Sequence, residues 1–139
     1  LINDLFLEAI PHKRAIAFGT MTVDFEKSIF VGEPLIDAYL LQEELYYYGI
    51  VVHGSVERKI DQFSFKRFSF IKEYLCNFKN GISKHMTIAP MYGYFRHSTG
   101  VHIEKDINKF FEGFKKLRYK TSGHLRKYYD NTEQYLNDL

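Results

Sequence analysis

The chain has no tryptophan, a single cysteine and three prolines in 139 residues, and its net charge is only +2. A lone Cys76 excludes an internal disulfide and leaves no cysteine-based zinc or redox spacing, which is the usage of a reducing cytoplasm. No run of about 18 apolar residues is present to cross a bilayer, so no membrane partner is expected. The opening stretch LINDLFLEAIPHKR lacks the basic flank of a secretory signal. These absences point to a cytoplasmic protein with all 139 residues in one domain. The chain begins at Leu1 and enters an amphipathic pattern at once, which reads as a piece of a longer polypeptide. Lysines and arginines gather at 58–72, 105–120 and 126–127, but acidic residues sit among them, so composition argues against a nucleic-acid partner.

What the chain has in quantity is ring: 13 Phe and 11 Tyr. A core of Phe packed on Tyr follows, in which each buried hydroxyl needs a hydrogen-bond partner. Apolar residues at Ile2, Leu5, Phe6, Ala9 and Ile10 predict a first helix that Pro11 ends. The segment 13–22, KRAIAFGTMT, alternates as a strand, with the small residues Ala15, Ala17 and Gly19 on one side where a neighbour can pack closely. After a charged turn, VDFEK, and the stretch SIFVG, a helix is predicted with Pro34 in its first turn and Gly49 past its last, and with Leu35, Ala38, Tyr39, Gln42 and Leu45 at helical spacing. Residues 50–54 read as a buried strand, and parallel pairing with the first strand would complete a strand–helix–strand unit.

Ser55 is placed to cap a short helix, SVERKI. Alternating Phe63, Phe65, Phe68 and Phe70 follow with a break in phase. Asn80-Gly81 then joins two antiparallel strands in a hairpin. Residues 91–102 read as loop. Helical spacing returns over 103–118 despite Gly113, and again from Thr121 to the C-terminus. The expected fold class is therefore α+β (α/β-like), with a mixed sheet of four to five strands, helices on one face and two C-terminal helices over 103–139.

Three stretches taken in order, HKRAIAFGT, FVGEPLIDAYLLQEELYYYGIVVHGSV and YLCNFKNGISKHMTI, resemble the second half of a class III nucleotidyl cyclase domain. The likeness covers a core over 13–89. Gly32, Ala38 and Leu41 stand where the family's Gly-x-x-Val-Asn-x-Ala-x-Arg-Leu helix has Gly, Ala and Leu, and GEPLIDAY is similar to a bacterial, antiviral pyrimidine cyclase-like subgroup. The resemblance implies a lyase of cyclic-nucleotide signalling that converts a nucleoside triphosphate to a cyclic nucleotide and pyrophosphate with Mg²⁺ or Mn²⁺. It also implies a homodimer, or pairing with a partner cyclase-like half. Lys79 and Lys84, around the hairpin turn FKNGISK, are the implied contacts to the nucleotide phosphates.

The departures from the family fall at its chemistry. The Asn that orients the ribose is replaced by Ile36, and the Arg that steadies the transferring phosphoryl group is replaced by Leu40. Neither apolar side chain can neutralise developing charge. The family's two metal-binding Asp residues lie on strands before the part resembled, so this chain alone is expected to be inactive. The alternative expectation is a non-catalytic module that keeps the fold for nucleotide sensing or dimerisation.

Other polar residues form no stronger motif. The six histidines, His12, His53, His85, His97, His102 and His124, include no metal-ligand pair at helical spacing, and His97, His102 and Glu104 are the nearest cluster. His53-Gly54-Ser55 lacks the second glycine of a nucleophile elbow. Asp24 and Glu26 read as solvated turn residues. Tyr46-Tyr47-Tyr48 at a helix end would face about 100° apart, leaving at least one ring for an interface or for a layer under the C-terminal helices. Asp130-Asn131-Thr132 sit inside a helical pattern, which requires either a break or specific contacts.

Overall fold

The computed structural model describes residue 8 and residues 10–62, 70–89 and 100–138, with the side chains of 100–107 set aside. The helix expected over 2–10, the phenylalanine alternation of 63–70, the loop at 91–102 and the His97, His102 and Glu104 cluster fall wholly or mainly outside that set. The described elements are β1 (Arg14–Ile16), β2 (Thr22–Asp24), β3 (Ile29–Val31), α1 (Glu33–Glu44), β4 (Ile50–Val52), α2 (Gly54–Gln62), β5 (Ile71–Phe78), β6 (Gly81–Ile88), α3 (Gly100–Tyr119) and α4 (His124–Asp138). They form a mixed α+β fold. The four-stranded sheet has the order β1-β4-β6-β5, and β2 and β3 form a separate antiparallel pair.

The strand–helix–strand unit is present: β1 and β4 pair in parallel, Arg14 with Ile50 and Ile16 with Val52. All three residues of β4 are buried, as a continuous β-branched run in a central strand requires. Each such side chain contributes about 1.5–3 kcal/mol of burial. β6 runs antiparallel to both β4 and β5, and the β5–β6 turn passes through Gly81 at φ 140, a conformation that favours glycine. The Asn80-Gly81 hairpin is therefore where the sequence places it.

The first strand is shorter than its alternation suggests. The Ile16 carbonyl still accepts the His53 N–H at 2.8 Å, closing the pairing with β4, and beyond it the chain leaves the sheet, with the Phe18 N–H donating to Ser55 Oγ at 2.9 Å. Gly19 then lies against Pro34, where an added Cβ would come within 3.0 Å of the ring. The small residues thus admit the start of α1. Val23 and Asp24, read as turn, belong to β2, and the turn proper is 25–28, with Asp24 Oδ1 accepting the Lys27 N–H at 3.0 Å.

α1 also stops short of its expected end. It finishes at Glu44, and Leu45 is extended and bridges Phe78 on β5. The Tyr46 N–H donates to the Asn77 carbonyl at 2.9 Å and the Lys79 N–H to the Glu44 carbonyl at 2.8 Å, so pairing to the hairpin replaces another helical turn. Gly49 is not a helix cap; a Cβ there would meet the Tyr47 ring at 2.6 Å.

The three tyrosines that follow α1 are consequently not helical, and α4 receives them. The rings of Tyr46, Tyr47 and Tyr48 pack on those of Tyr128, Tyr135 and Tyr129, at centroid distances of 4.6, 4.7 and 5.2 Å. This also accounts for the polar residues in the middle of α4, which continues unbroken through them. Asn131 Nδ2 donates to the Tyr46 carbonyl at 2.7 Å, while Thr132 Oγ1 accepts the Tyr48 N–H at 2.8 Å. Backbone groups without a strand neighbour must find partners, and these side chains supply them. Thr132→Val should therefore destabilise the chain by about 1–3 kcal/mol, the cost of one orphaned buried donor, read as a lower urea midpoint with an unchanged slope.

Two apolar clusters result. One joins Leu45, Tyr47, Val51, Cys76 and Tyr135 beneath the sheet, and the other joins Phe110, Phe114 and Tyr129 between α3 and α4. α3 runs through Gly113 without interruption.

Candidate functional site

The carboxyl ends of β1 and β4 gather the most polar side chains. His53 precedes α2, and its carbonyl accepts the Val56 N–H at 2.9 Å. Its Nδ1 lies 2.9 Å from Ser55 Oγ and accepts the Ser55 N–H at 3.3 Å. His53, not Ser55, therefore occupies the cap, contrary to the sequence expectation. Ser55 Oγ links the start of α2 to Phe18 instead.

Asp37 Oδ2 stands 3.8 Å from the same His53 Nδ1. A Ser–His–Asp relay needs the two ring nitrogens divided between the hydroxyl and the carboxylate, and here one nitrogen meets both. The trio is a structural clasp. A second pair adjoins β6: Glu57 Oε1 accepts the Met86 N–H at 2.8 Å and lies 3.5 Å from His85 Nδ1, which donates to the Val52 carbonyl at 3.3 Å. Asp37 and Glu57 were not singled out by any motif, because their histidine partners are remote in sequence.

Lys79 and Lys84 have different surroundings. Lys84 Nζ is paired with Glu73 Oε2 on β5 at 2.8 Å. Lys79 is exposed at the hairpin corner, close enough to Lys13 for its charge, after desolvation, to help lower the Lys13 pKa. Glu26 remains a turn residue, while Asp24 closes β2 and lies 3.5 Å from the Lys27 ammonium.

Cys76 is fully buried, and its Sγ is 3.3 Å from the Tyr47 hydroxyl. Burial pushes the thiol from its ordinary 9.0 up to about 11, so it packs as an inert group. Burial raises Tyr74 as well, to about 12, with the Asp138 carboxylate adding to the effect. In both cases the folded state holds its proton more tightly than the unfolded chain. Their stabilising contribution is complete below the unfolded pKa and is lost as pH rises through the folded one. Chemical-denaturation midpoints should accordingly fall between about pH 9 and pH 12, and Cys76→Ala should lessen the part of that fall between about pH 9 and pH 11.

The metal implied by the cyclase resemblance finds no fit among the described residues. Among the described residues no three His, Cys, Asp or Glu side chains group to hold an ion, and the pairs above are committed to backbone donors and acceptors. Among the described residues no helix is long and apolar enough to cross a membrane.

Among the described residues, α1 also carries an exposed apolar stripe. Leu35, Ile36, Tyr39 and Leu40 stand at i, i+1, i+4 and i+5 on the side of α1 away from Pro34 and Leu41, with 49–61% of each side chain exposed. Leu35 and Tyr39 were at helical spacing with Leu45, yet they face solvent, because Pro34 against Gly19 sets the buried side of the helix. The adjoining hairpin exposes Val23, Phe25, Ile29, Phe30 and Val31. No family model, curated protein or solved structure matches the chain.

Proposed function

We propose that this chain is the second half of a cyclase-like domain in which the surface of α1 and the β2–β3 hairpin serves association and performs no phosphoryl chemistry. The observation that carries this reading is the exposed apolar stripe on α1. Ile36 and Leu40, which replace the family's ribose-orienting Asn and phosphoryl-steadying Arg, are part of it. A catalytic surface would present donors and cations there. An apolar one of this extent on a small protein is the signature of a binding face.

The occupant is a second copy of the chain. The exposed side chains of α1, with those on one face of the hairpin, offer roughly 600 Å² per copy, the low end of the share each partner contributes to a specific interface. A two-stranded hairpin is marginal alone, and β2–β3, with every residue of β3 exposed, gains a packing surface by association. Formation of a cyclic nucleotide from a nucleoside triphosphate would need metal ions and cations supplied from elsewhere. Lys79 and Lys84 are the phosphate contacts that the cyclase resemblance implies for such a site.

Sedimentation velocity across a concentration series tests the reading. The expected result is a shift from a 16.5 kDa species toward its dimer. A single monomeric boundary up to several hundred micromolar, roughly ten times a weak interface's Kd of tens of micromolar, would overturn it.

A further inference from the structure

The α3–α4 corner carries a charge pattern that the association face does not explain. Between Gly113 and Tyr129 there are six Lys or Arg residues and no Asp or Glu, although the whole chain has a net charge of only +2. Asp130, the first carboxylate after this stretch, is held by Arg118 at 2.6 Å. Lys115, Lys116, Lys120, Arg126 and Lys127 pair with no carboxylate among the described residues. Among the described residues, Arg118 is thus the one cation of the stretch with a carboxylate partner.

The geometry of α3 sharpens the pattern. Phe110 and Phe114 are buried, which turns Lys115, Lys116 and Tyr119 to the opposite side of the helix, and the exposed Lys120 follows in the turn just past its end. Lys115 and Tyr119 are i,i+4 neighbours on α3, and Lys120 adjoins Tyr119 in sequence. The Tyr119 ring is 72% exposed, more than the other large apolar side chains of α3 and α4 named above. An unpaired aromatic face set between cations four residues apart suits a chain of regularly spaced phosphates that carries stackable bases.

We infer that the α3–α4 corner binds single-stranded nucleic acid without sequence preference, with Lys115, Lys116, Lys120, Arg126 and Lys127 on phosphates and Tyr119 stacked on a base. An anionic membrane is the weaker match. A helix that lies on lipid pairs its cations with an apolar stripe, and this side of α3 offers a single Tyr. The inference is independent of the association face on α1.

The test is fluorescence anisotropy of the purified chain with labelled 20-nucleotide oligo(dT) and oligo(U), run beside vesicles containing phosphatidylserine. Binding to both oligonucleotides is expected at 50 mM salt, with log affinity falling against log salt at a slope of about −2 to −4, since each phosphate neutralised on a single strand contributes about −0.7. The triple variant Lys115→Gln, Lys116→Gln, Lys120→Gln should lose at least tenfold in affinity and flatten that slope by about 2. Tyr119→Ala should lose about fivefold or more with its slope unchanged, the mark of stacking as distinct from charge. All four positions are exposed, and circular dichroism checks that the variants fold. No oligonucleotide binding at 50 mM salt, equal binding by the triple variant, or binding to vesicles in preference to oligonucleotides would each overturn the inference.

Discussion

Ile36→Lys combined with Leu40→Lys should convert the associated form to monomer, weakening self-association by at least about a hundredfold, or roughly 2.7 kcal/mol. Both side chains are more than half exposed in the single chain. Lysine there costs the fold little, so the unfolding midpoint of the monomer should stay within about 0.5 kcal/mol of the parent. In an interface between two copies each substitution acts twice, and four ammonium groups would have to be desolvated without partners. Leu75→Lys and Ile82→Lys, equally exposed but on β5 and β6, serve as controls and should leave association unchanged.

The largest effect on stability is expected at Tyr135. Its side chain is fully buried, its hydroxyl donates to the Ile88 carbonyl at 3.2 Å, and its ring meets Tyr47 and Tyr74 at 4.7 and 4.8 Å. It therefore joins α4 to the sheet and to the tyrosine run after α1 at once. Tyr135→Ala should cost about 3–5 kcal/mol, from lost burial and the cavity left behind. Domains of this size have about 5–15 kcal/mol in total, so the variant should be largely unfolded at modest urea concentration. Tyr135→Phe, which keeps the ring and loses only the hydroxyl's bond, should cost about 1 kcal/mol. Equal losses in the two variants would place the effect in the hydrogen bond and not in the packing.

How far the sequence reveals this molecule differs from element to element. β4 is legible because three consecutive β-branched residues have few options other than a buried strand. The β5–β6 hairpin is legible because Asn80-Gly81 specifies its own turn conformation. The end of α1 is not, since its helical spacing runs on through Leu45 while the bridge from Leu45 to Phe78 that stops it is a long-range contact. The solvent-facing stripe of α1 is hidden for a related reason. Periodicity shows that Leu35 and Tyr39 share a side with other apolar residues but not which side meets the sheet, and that is set by Pro34 against Gly19.

The polar residues show the same division. Asn131 and Thr132 could be recognised as anomalous within a helix, but their partners, the backbone of Tyr46 and Tyr48, lie more than 80 residues away. Of the phosphate-contact candidates, the hairpin location of Lys79 and Lys84 was legible. The commitment of Lys84 to Glu73 depends on how β5 and β6 align.

Hydrogen–deuterium exchange measured at low and high protein concentration tests the association face most directly, because it reports position as well as oligomeric state. Amides of Thr22–Asp24, Ile29–Val31 and Glu33–Glu44 should exchange more slowly at high concentration, while those of α3 and α4 should not change. Identical exchange at both concentrations, or protection confined to the α3–α4 corner, would contradict the assignment of this surface to a second copy of the chain.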